Sequence, residues 1–339
     1  MQRPPFLETV RRLYSFDTEI QDFRLFGDGH IHQTFLISTA TQPYILQRFN
    51  IEVFEYPERI SHNHAIMLCE IDRDTLPFIL PLPVANTRGE LFSFIDGAWF
   101  RLSPFVPGTC VNEVKSTHQA YLAARAFARL IEAGMHIPAS TFQEPIPGFH
   151  DLDLRYQQFS QAVAETQRSV SGDLKELVDF YAEQGTLIDE YVSWKNRLPR
   201  RMTHNDTKIN NLIYAEDGSE VAAVIDLDTI MAGYVMYDFG DLVRTVACTE
   251  SESSVNWAHI RVDQDRYDAL MQGFQDVGQG VFTPEELESL PFGGKMMTCI
   301  MGLRFLTDYL KGNVYYHIRY EQQNLHRAKN QMHLLMALL

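Results

Sequence analysis

The sequence predicts an α+β fold in two lobes, a small N-terminal lobe on an antiparallel sheet and a larger, mostly helical C-terminal lobe. Three observations carry this. Up to about Ser103 the chain reads as short strands separated by turn residues, among them a hairpin of residues 90–95, Asp96-Gly97 and residues 98–103. Pro104-Phe105-Val106-Pro107-Gly108 then marks a boundary, with two prolines and a glycine directly after a strand. Beyond it apolar residues recur at helical spacing, as in 116–134, where Tyr121, Ala124, Phe127, Ala128, Leu130 and Ile131 share a face.

Residues 6–20 read as a short helix, with Leu7, Val10 and Leu13 on one side. Phe26-Gly27-Asp28-Gly29-His30-Ile31-His32-Gln33-Thr34 leads into the strand Phe35-Leu36-Ile37-Ser38. Paired glycines between strands let backbone N–H groups approach a phosphate, although the pair alone is equally a plain hairpin turn. It is not a dinucleotide fingerprint, because a strand follows where a helix would start. Pro43-Tyr44-Ile45-Leu46-Gln47-Arg48-Phe49 is the next strand, with Gln47 and Arg48 on opposite faces. Residues 57–68 are helical, and their His62 and His64 read as surface residues rather than metal ligands, since i and i+2 do not share a face.

In the second lobe, helices are expected at 152–169 and 173–197 with solvated charged faces, after a loop at 145–151. Thr283-Pro284-Glu285-Glu286 is a capping box that starts a helix. Another helix, about 295–311, carries Arg304 and is broken by Asn313-Val314-Tyr315-Tyr316-His317. Gly293-Gly294-Lys295 makes no phosphate loop, because Ser289 and Met296 stand where glycine and Ser/Thr are required. Leu325, Ala328, Met332, Leu335, Met336 and Leu339 form a terminal amphipathic stripe expected to pack on this lobe.

Bulk properties narrow the function. A 339-residue chain suits two lobes, and its net charge of −15 argues against a nucleic-acid partner, which needs a basic footprint. The four cysteines lie far apart without a C-x-x-C pair, against zinc or a disulfide scaffold and in keeping with a reducing compartment. Neither an N-terminal signal nor an apolar run of spanning length is evident. The expectation is a soluble cytoplasmic protein, monomeric or weakly dimeric, working on small molecules.

The chemistry concentrates in Thr203-His204-Asn205-Asp206-Thr207-Lys208-Ile209-Asn210-Asn211, then the apolar run 221–225 ending in Asp226-Leu227-Asp228. Asp206 offers a carboxylate to a substrate hydroxyl, and Asn211, five positions on, offers a carboxamide oxygen to a metal. A buried strand would deliver Asp226 as a second oxygen ligand. Phosphoryl transfer uses such a set: an Asp positioning and deprotonating the hydroxyl, with Asn and a later Asp on Mg²⁺. Any one piece could be an ordinary turn or a solvated strand end. Three in order at this spacing favour a phosphotransferase. Tyr237-Asp238-Phe239-Gly240-Asp241 contains a literal Asp-Phe-Gly, but one loop too late for the metal role; Asp238 suits a helix N-cap instead.

His204-x-Asp206-x-x-x-x-Asn211 with Ile225-Asp226-x-Asp228 resembles the aminoglycoside/choline kinase-like phosphotransferases. Together with Gly27-Asp28-Gly29-His30-Ile31 and Tyr44 to Asn50, the longer string is most similar to N-acetylhexosamine 1-kinases. The resemblance, from about residue 20 to about 320, implies a protein-kinase-like fold with a nucleotide-binding lobe at 1–103, a hinge at 104–108, and an acceptor-binding lobe at 109–339. It implies ATP and Mg²⁺, with nucleotide contacts expected from Gly27, Gly29, Thr34, Gln47, Phe105 and Val106. Gln47 departs from the family, which places Lys or Arg there; either Arg48 is reached through a bulge, or phosphate binding leans on the Gly loop and the metal. The implied acceptor is the anomeric hydroxyl of an N-acetylhexosamine, for which His30, Asp206, Arg304 and Tyr316 are the candidate contacts, while strand alternation gives Asp228 the face of Asp226, toward metal or substrate. His204 and Asp238 are expected to support the loop. Choline, a methylthio-sugar, homoserine or an aminoglycoside is an alternative acceptor, and a nucleotide-binding pseudoenzyme an alternative class.

Overall fold

A computed structural model describes residues 4–16, 19–27, 32–51 and 54–339. The predicted contacts Gly29 and His30 therefore lie outside the described residues.

The N-terminal lobe is one antiparallel sheet. Its strands β1 (Asp22–Leu25), β2 (Gln33–Ser38), β3 (Pro43–Arg48), β4 (Ser93–Ile95) and β5 (Ala98–Pro104) run in the order β1-β2-β3-β5-β4. Helix α1 (Phe6–Leu13) covers one face, burying Leu7 and Val10 against Phe35, Ile37, Leu46, Phe100 and Leu102. It is shorter than the predicted 6–20, because Ser15 turns into the left-handed region at φ 46°. Helix α2 (Pro57–Glu70) starts on Pro57, a residue whose fixed φ suits the first turn. The sequence reading of His64 as a surface residue is corrected. His64 is 1% exposed, and its Nε2 faces the carbonyl of Leu227 at 3.2 Å.

Past the connection at 105–108, β6 (Thr109–Cys110) leads to α3 (Thr117–Ala133), capped by Ser116, whose hydroxyl accepts from the Gln119 amide. Helix α4 (Leu152–Glu165) follows, and the segment read as one helix at 173–197 is two, α5 (Gly172–Ala182) and α6 (Gly185–Arg197), separated by a turn at Glu183-Gln184. Next come β7 (Arg201–Thr203), β8 (Leu212–Tyr214), β9 (Val221–Val224) and β10 (Met231–Gly233). They form a β7–β10 pair and a three-stranded sheet, β6-β8-β9. Helices α7 (Val235–Leu242), α8 (Gln264–Gly278), α9 (Pro284–Leu310) and α10 (Gln323–Leu338) complete the lobe.

The capping box at Thr283 forms as expected, but the helix it starts does not stop: α9 runs 27 residues, through Pro291 and past Arg304. The predicted break before 295 is wrong because this helix is buried nearly all round, so packing overrides Pro291 and the Gly293-Gly294 pair. The glycines serve that packing. A Cβ on Gly240 of α7 would stand 2.1 Å from the Gly293 carbonyl oxygen, so the two helices touch backbone to backbone. Asp-Phe-Gly here is therefore a packing element: Phe239 is fully buried, and Gly240 admits α9.

Candidate active site

The segment from β7 to β9 is a loop braced from every side. Asn205 takes the left-handed conformation, φ 64°, which Asn tolerates better than most residues. Its side-chain amide donates to the carbonyls of Thr203 and Thr229, both at 3.0 Å, while the Thr203 hydroxyl donates to Asn205 Oδ1 at 3.1 Å. No side chain fits at Gly233, where a Cβ would stand 2.3 Å from Thr203 Oγ1. His150 donates from Nε2 to the Asn205 carbonyl at 2.7 Å. Burial outweighs the hydrogen bond to Asn205 and lowers its pKa to about 3, so the ring is neutral.

Asp238 is the main brace. Its two carboxylate oxygens accept the consecutive amides of His204 and Asn205, each at 2.8 Å, and its carbonyl accepts the Thr207 hydroxyl at 2.6 Å. Helix α7 begins at Val235 with Tyr234 as cap, so Asp238 does not cap its own helix as its sequence context suggested. It caps the loop. Burial raises its pKa to about 6 despite those donors. His204 likewise points away from the cleft: Nδ1 accepts the Asp206 amide at 3.3 Å, leaving Nε2–H to donate to the Ile225 carbonyl at 3.0 Å.

These contacts hold Asp206 with its side chain about 20% exposed. One carboxylate oxygen meets Lys208 Nζ at 2.9 Å; the other accepts from Asn211 Nδ2 at 3.0 Å. Burial would raise its pKa, but Lys208, His204 and the Asn211 amide together hold it down at about 2, so the carboxylate is ionised. Because Asn211 spends its amide nitrogen on Asp206, its carbonyl oxygen is left for another partner. Lys208 was inside the motif string but received no role from the sequence; its placement two residues after Asp206 was the signal.

At the end of β9 the chain turns sharply. Asp226 sits at φ 57° and opens to the cleft, whereas Asp228, one helical half-turn on, is turned inward. Desolvation at the cleft floor, and the carboxylates of Asp228 and Asp206, raise the Asp226 pKa to about 6. Asp228 was expected to face metal or substrate; its side chain is fully buried instead. Arg101 of β5 grips both its oxygens, one from Nη2 at 2.9 Å, and His32 donates Nε2–H at 2.9 Å. The tautomer follows from Nδ1 of His32, which accepts the Asn50 amide. Burial opposes the charge, but Arg101 and His32 hold the Asp228 pKa far below the carboxylate range.

Gln47 enters the same network. β3 pairs with β2 and β5 without a register shift, placing Thr34, Gln47 and Arg101 in one cross-strand row. Arg101 Nε donates to Gln47 Oε1 at 2.8 Å, and Gln47 Nε2 reaches Thr34 Oγ1 at 3.5 Å. No bulge brings Arg48 round; it is exposed on the other face. In the connection after β5, the Phe105 amide is committed to the Pro43 carbonyl at 3.2 Å and Val106 is buried. Gly27, at φ 73°, ends the described part of its loop.

The predicted acceptor contacts Arg304 and Tyr316 pack together. The Arg304 guanidinium lies 4.8 Å from the Phe149 ring centre and 5.6 and 5.5 Å from those of Tyr315 and Tyr316. Among the described residues it has no carboxylate partner; its one polar contact is Met301 Sδ at 3.6 Å. The Tyr316 hydroxyl is buried without a hydrogen bond among the described residues. The Phe149 ring beside Arg304 lies 4.3 Å from that of His150, which bonds the Asn205 carbonyl, so Arg304 lies near the loop that carries Asp206.

Two lobes meeting at an ionised Asp, with a carboxamide and a second carboxylate beside it, define a phosphotransferase. The sequence profile of the phosphotransferase enzyme family APH matches residues 22–273, and the chain belongs to that family. It is a small-molecule kinase of the protein-kinase-like APH fold. A homoserine kinase of Xanthobacter autotrophicus is 24% identical over 288 residues, 81% of this chain and 77% of that protein. An aminoglycoside phosphotransferase structure from Alicyclobacillus acidocaldarius aligns over 100% of this chain and 96% of its own, with TM-score 0.68 and 12% identity. A microcompartment-associated aminopropanol kinase aligns over 92% and 90%, with TM-score 0.60 and 16% identity.

Proposed function

We propose that the protein is an ATP-dependent kinase that phosphorylates the anomeric hydroxyl of an N-acetylhexosamine. The observation that carries the acceptor side is the Arg304 guanidinium, without a carboxylate partner among the described residues, beside Phe149, Tyr315 and Tyr316. Guanidinium N–H groups bind hydroxyl and amide oxygens, and aromatic faces pack on sugar rings. The same cation disfavours choline, an aminoglycoside or another cationic acceptor, which would call for an acidic or aromatic cage.

In this reading Asp206 orients the acceptor hydroxyl and takes its proton as the γ-phosphoryl group is transferred in line. The braced loop keeps that carboxylate in place, so catalysis is mainly positioning and charge neutralisation. Among the described residues no cluster of three His, Cys, Asp or Glu could hold a metal. Asn211 and Asp226 would hold Mg²⁺, a donor set that suits an ion keeping several waters and phosphate oxygens. The Asn211 side-chain oxygen, which accepts no hydrogen bond among the described residues, and the carboxylate crowding around Asp226 fit a cation. When bound, Mg²⁺ would neutralise charge on the phosphates. Residues 1–103 would carry the nucleotide, with Gly27, Gly29, Thr34, Gln47 and the 104–108 hinge around it.

A second reading, homoserine as acceptor, is favoured by the 24% identical relative and by the suitability of Arg304 for a carboxylate. ADP release measured with ATP and Mg²⁺ against N-acetylhexosamines, homoserine, choline and an aminoglycoside separates these readings. Turnover on N-acetylhexosamines, abolished in Asp206→Asn, is the expected result. Turnover on homoserine alone would overturn the sugar, and nucleotide binding without turnover would point to a pseudoenzyme.

A further inference from the structure

Arg304 faces a loop whose shape is set by one buried carboxylate. Asp308, one turn further along α9 and 4% exposed, accepts three consecutive backbone amides: Val314 at 2.9 Å and Tyr315 at 2.8 Å on Oδ1, and Tyr316 at 3.0 Å on Oδ2. The fourth donor is the side chain of Asn324 at 2.8 Å, which also donates to Asn313 Oδ1 at 3.0 Å. Asn313 itself turns at φ 60°, and its amide bonds the Asp308 carbonyl at 2.7 Å. Away from Asp308 the segment is held by Asn313 Nδ2, which donates to the Glu321 carbonyl at 3.0 Å, and by the Tyr316 ring on Phe305 at 4.9 Å, while Val314 is 77% and Tyr315 53% exposed. Three amides converging on one carboxylate make an anion nest whose anion is built into the chain.

We infer that Asp308 is a positioning residue for acceptor recognition: it shapes the 313–316 loop so that Tyr315 and Tyr316 stand over Arg304. It acts through those side chains and does not itself meet substrate. This rests on the reading of Arg304 and Tyr316 as acceptor contacts, but not on which acceptor binds there.

The test is steady-state kinetics of Asp308→Asn on whichever acceptor the wild type turns over best, with thermal melting alongside. An Asn at 308 keeps the shape but turns an N–H toward one of the three amides. The acceptor KM should rise about tenfold or more while the ATP KM stays within about twofold. Asn324→Ala, which leaves all three amide bonds, should give a smaller shift in the same direction. An unchanged acceptor KM, or acceptor and ATP KM rising together, would overturn the inference. Wild-type turnover confined to a non-sugar acceptor would overturn the proposed substrate and leave Asp308 testable on that acceptor. Should Asp308→Asn not fold, the Asn324→Ala split decides.

Discussion

At Asp238 two opposed demands meet. The residue must offer two acceptor oxygens to the His204 and Asn205 amides, yet it is fully buried, and its pKa is raised to about 6 from the ordinary 3.8. The folded state therefore holds this proton more tightly than the unfolded chain. The sign follows: the contribution to stability is full below about pH 4 and declines as pH rises through about 6. Against Asp238→Asn, the wild type should lose about 3 kcal/mol of relative unfolding free energy across that interval. Chemical denaturation of both proteins between pH 4 and 7 checks it; parallel curves would contradict it. The variant should also lose activity, because an amide can accept only one of the two N–H groups in that geometry. Which residue would brace the loop was legible in part. The resemblance led to the expectation that Asp238 supports the loop, whereas its local context read as a cap for its own helix, since nothing in the sequence tells that α7 lies under β7. Asp228 was misread because strand alternation gives it the face of Asp226, whereas the left-handed turn at Asp226 sends the two carboxylates opposite ways.

At the scale of elements, Arg101 and Asp228 tie β5 to the turn after β9, and so one lobe to the other. Both side chains are nearly or wholly buried, which makes the pair costly to break rather than strongly stabilising in itself. Asp228→Asn leaves the Arg101 charge buried without its counterion. It should destabilise the protein by about 3–5 kcal/mol, read by denaturant unfolding, whereas a change within about 1 kcal/mol would show the pair to be dispensable. Arg101 was invisible as a functional candidate, because its strand was read only as half of a hairpin. Its partner Gln47 was found through the absence of the expected lysine. The hairpin, the Thr283 capping box and the α3 stripe were all legible, since each rests on local spacing. The length of α9 was not. A helix buried on all sides carries no amphipathic period, and Pro291 with the glycine pair looks like an ending until α7 is packed against it.

For the whole molecule, the antiparallel-sheet lobe followed by a helical lobe was readable from the switch in period at residues 104–108. Among the described residues no helix is long and apolar enough to cross a membrane. The net charge of −15 was a poor guide to local charge: the Arg304 guanidinium has no carboxylate partner among the described residues. The central claim is phosphoryl transfer by the Asp206 loop to the anomeric oxygen of an N-acetylhexosamine. Its most direct test is phosphorus and proton NMR of the product formed from N-acetylglucosamine, ATP and Mg²⁺. A phosphorus resonance coupled to the anomeric proton, absent with Asp206→Asn, is the predicted result. Phosphate on another hydroxyl, or no transfer to the sugar while homoserine is consumed, would contradict it.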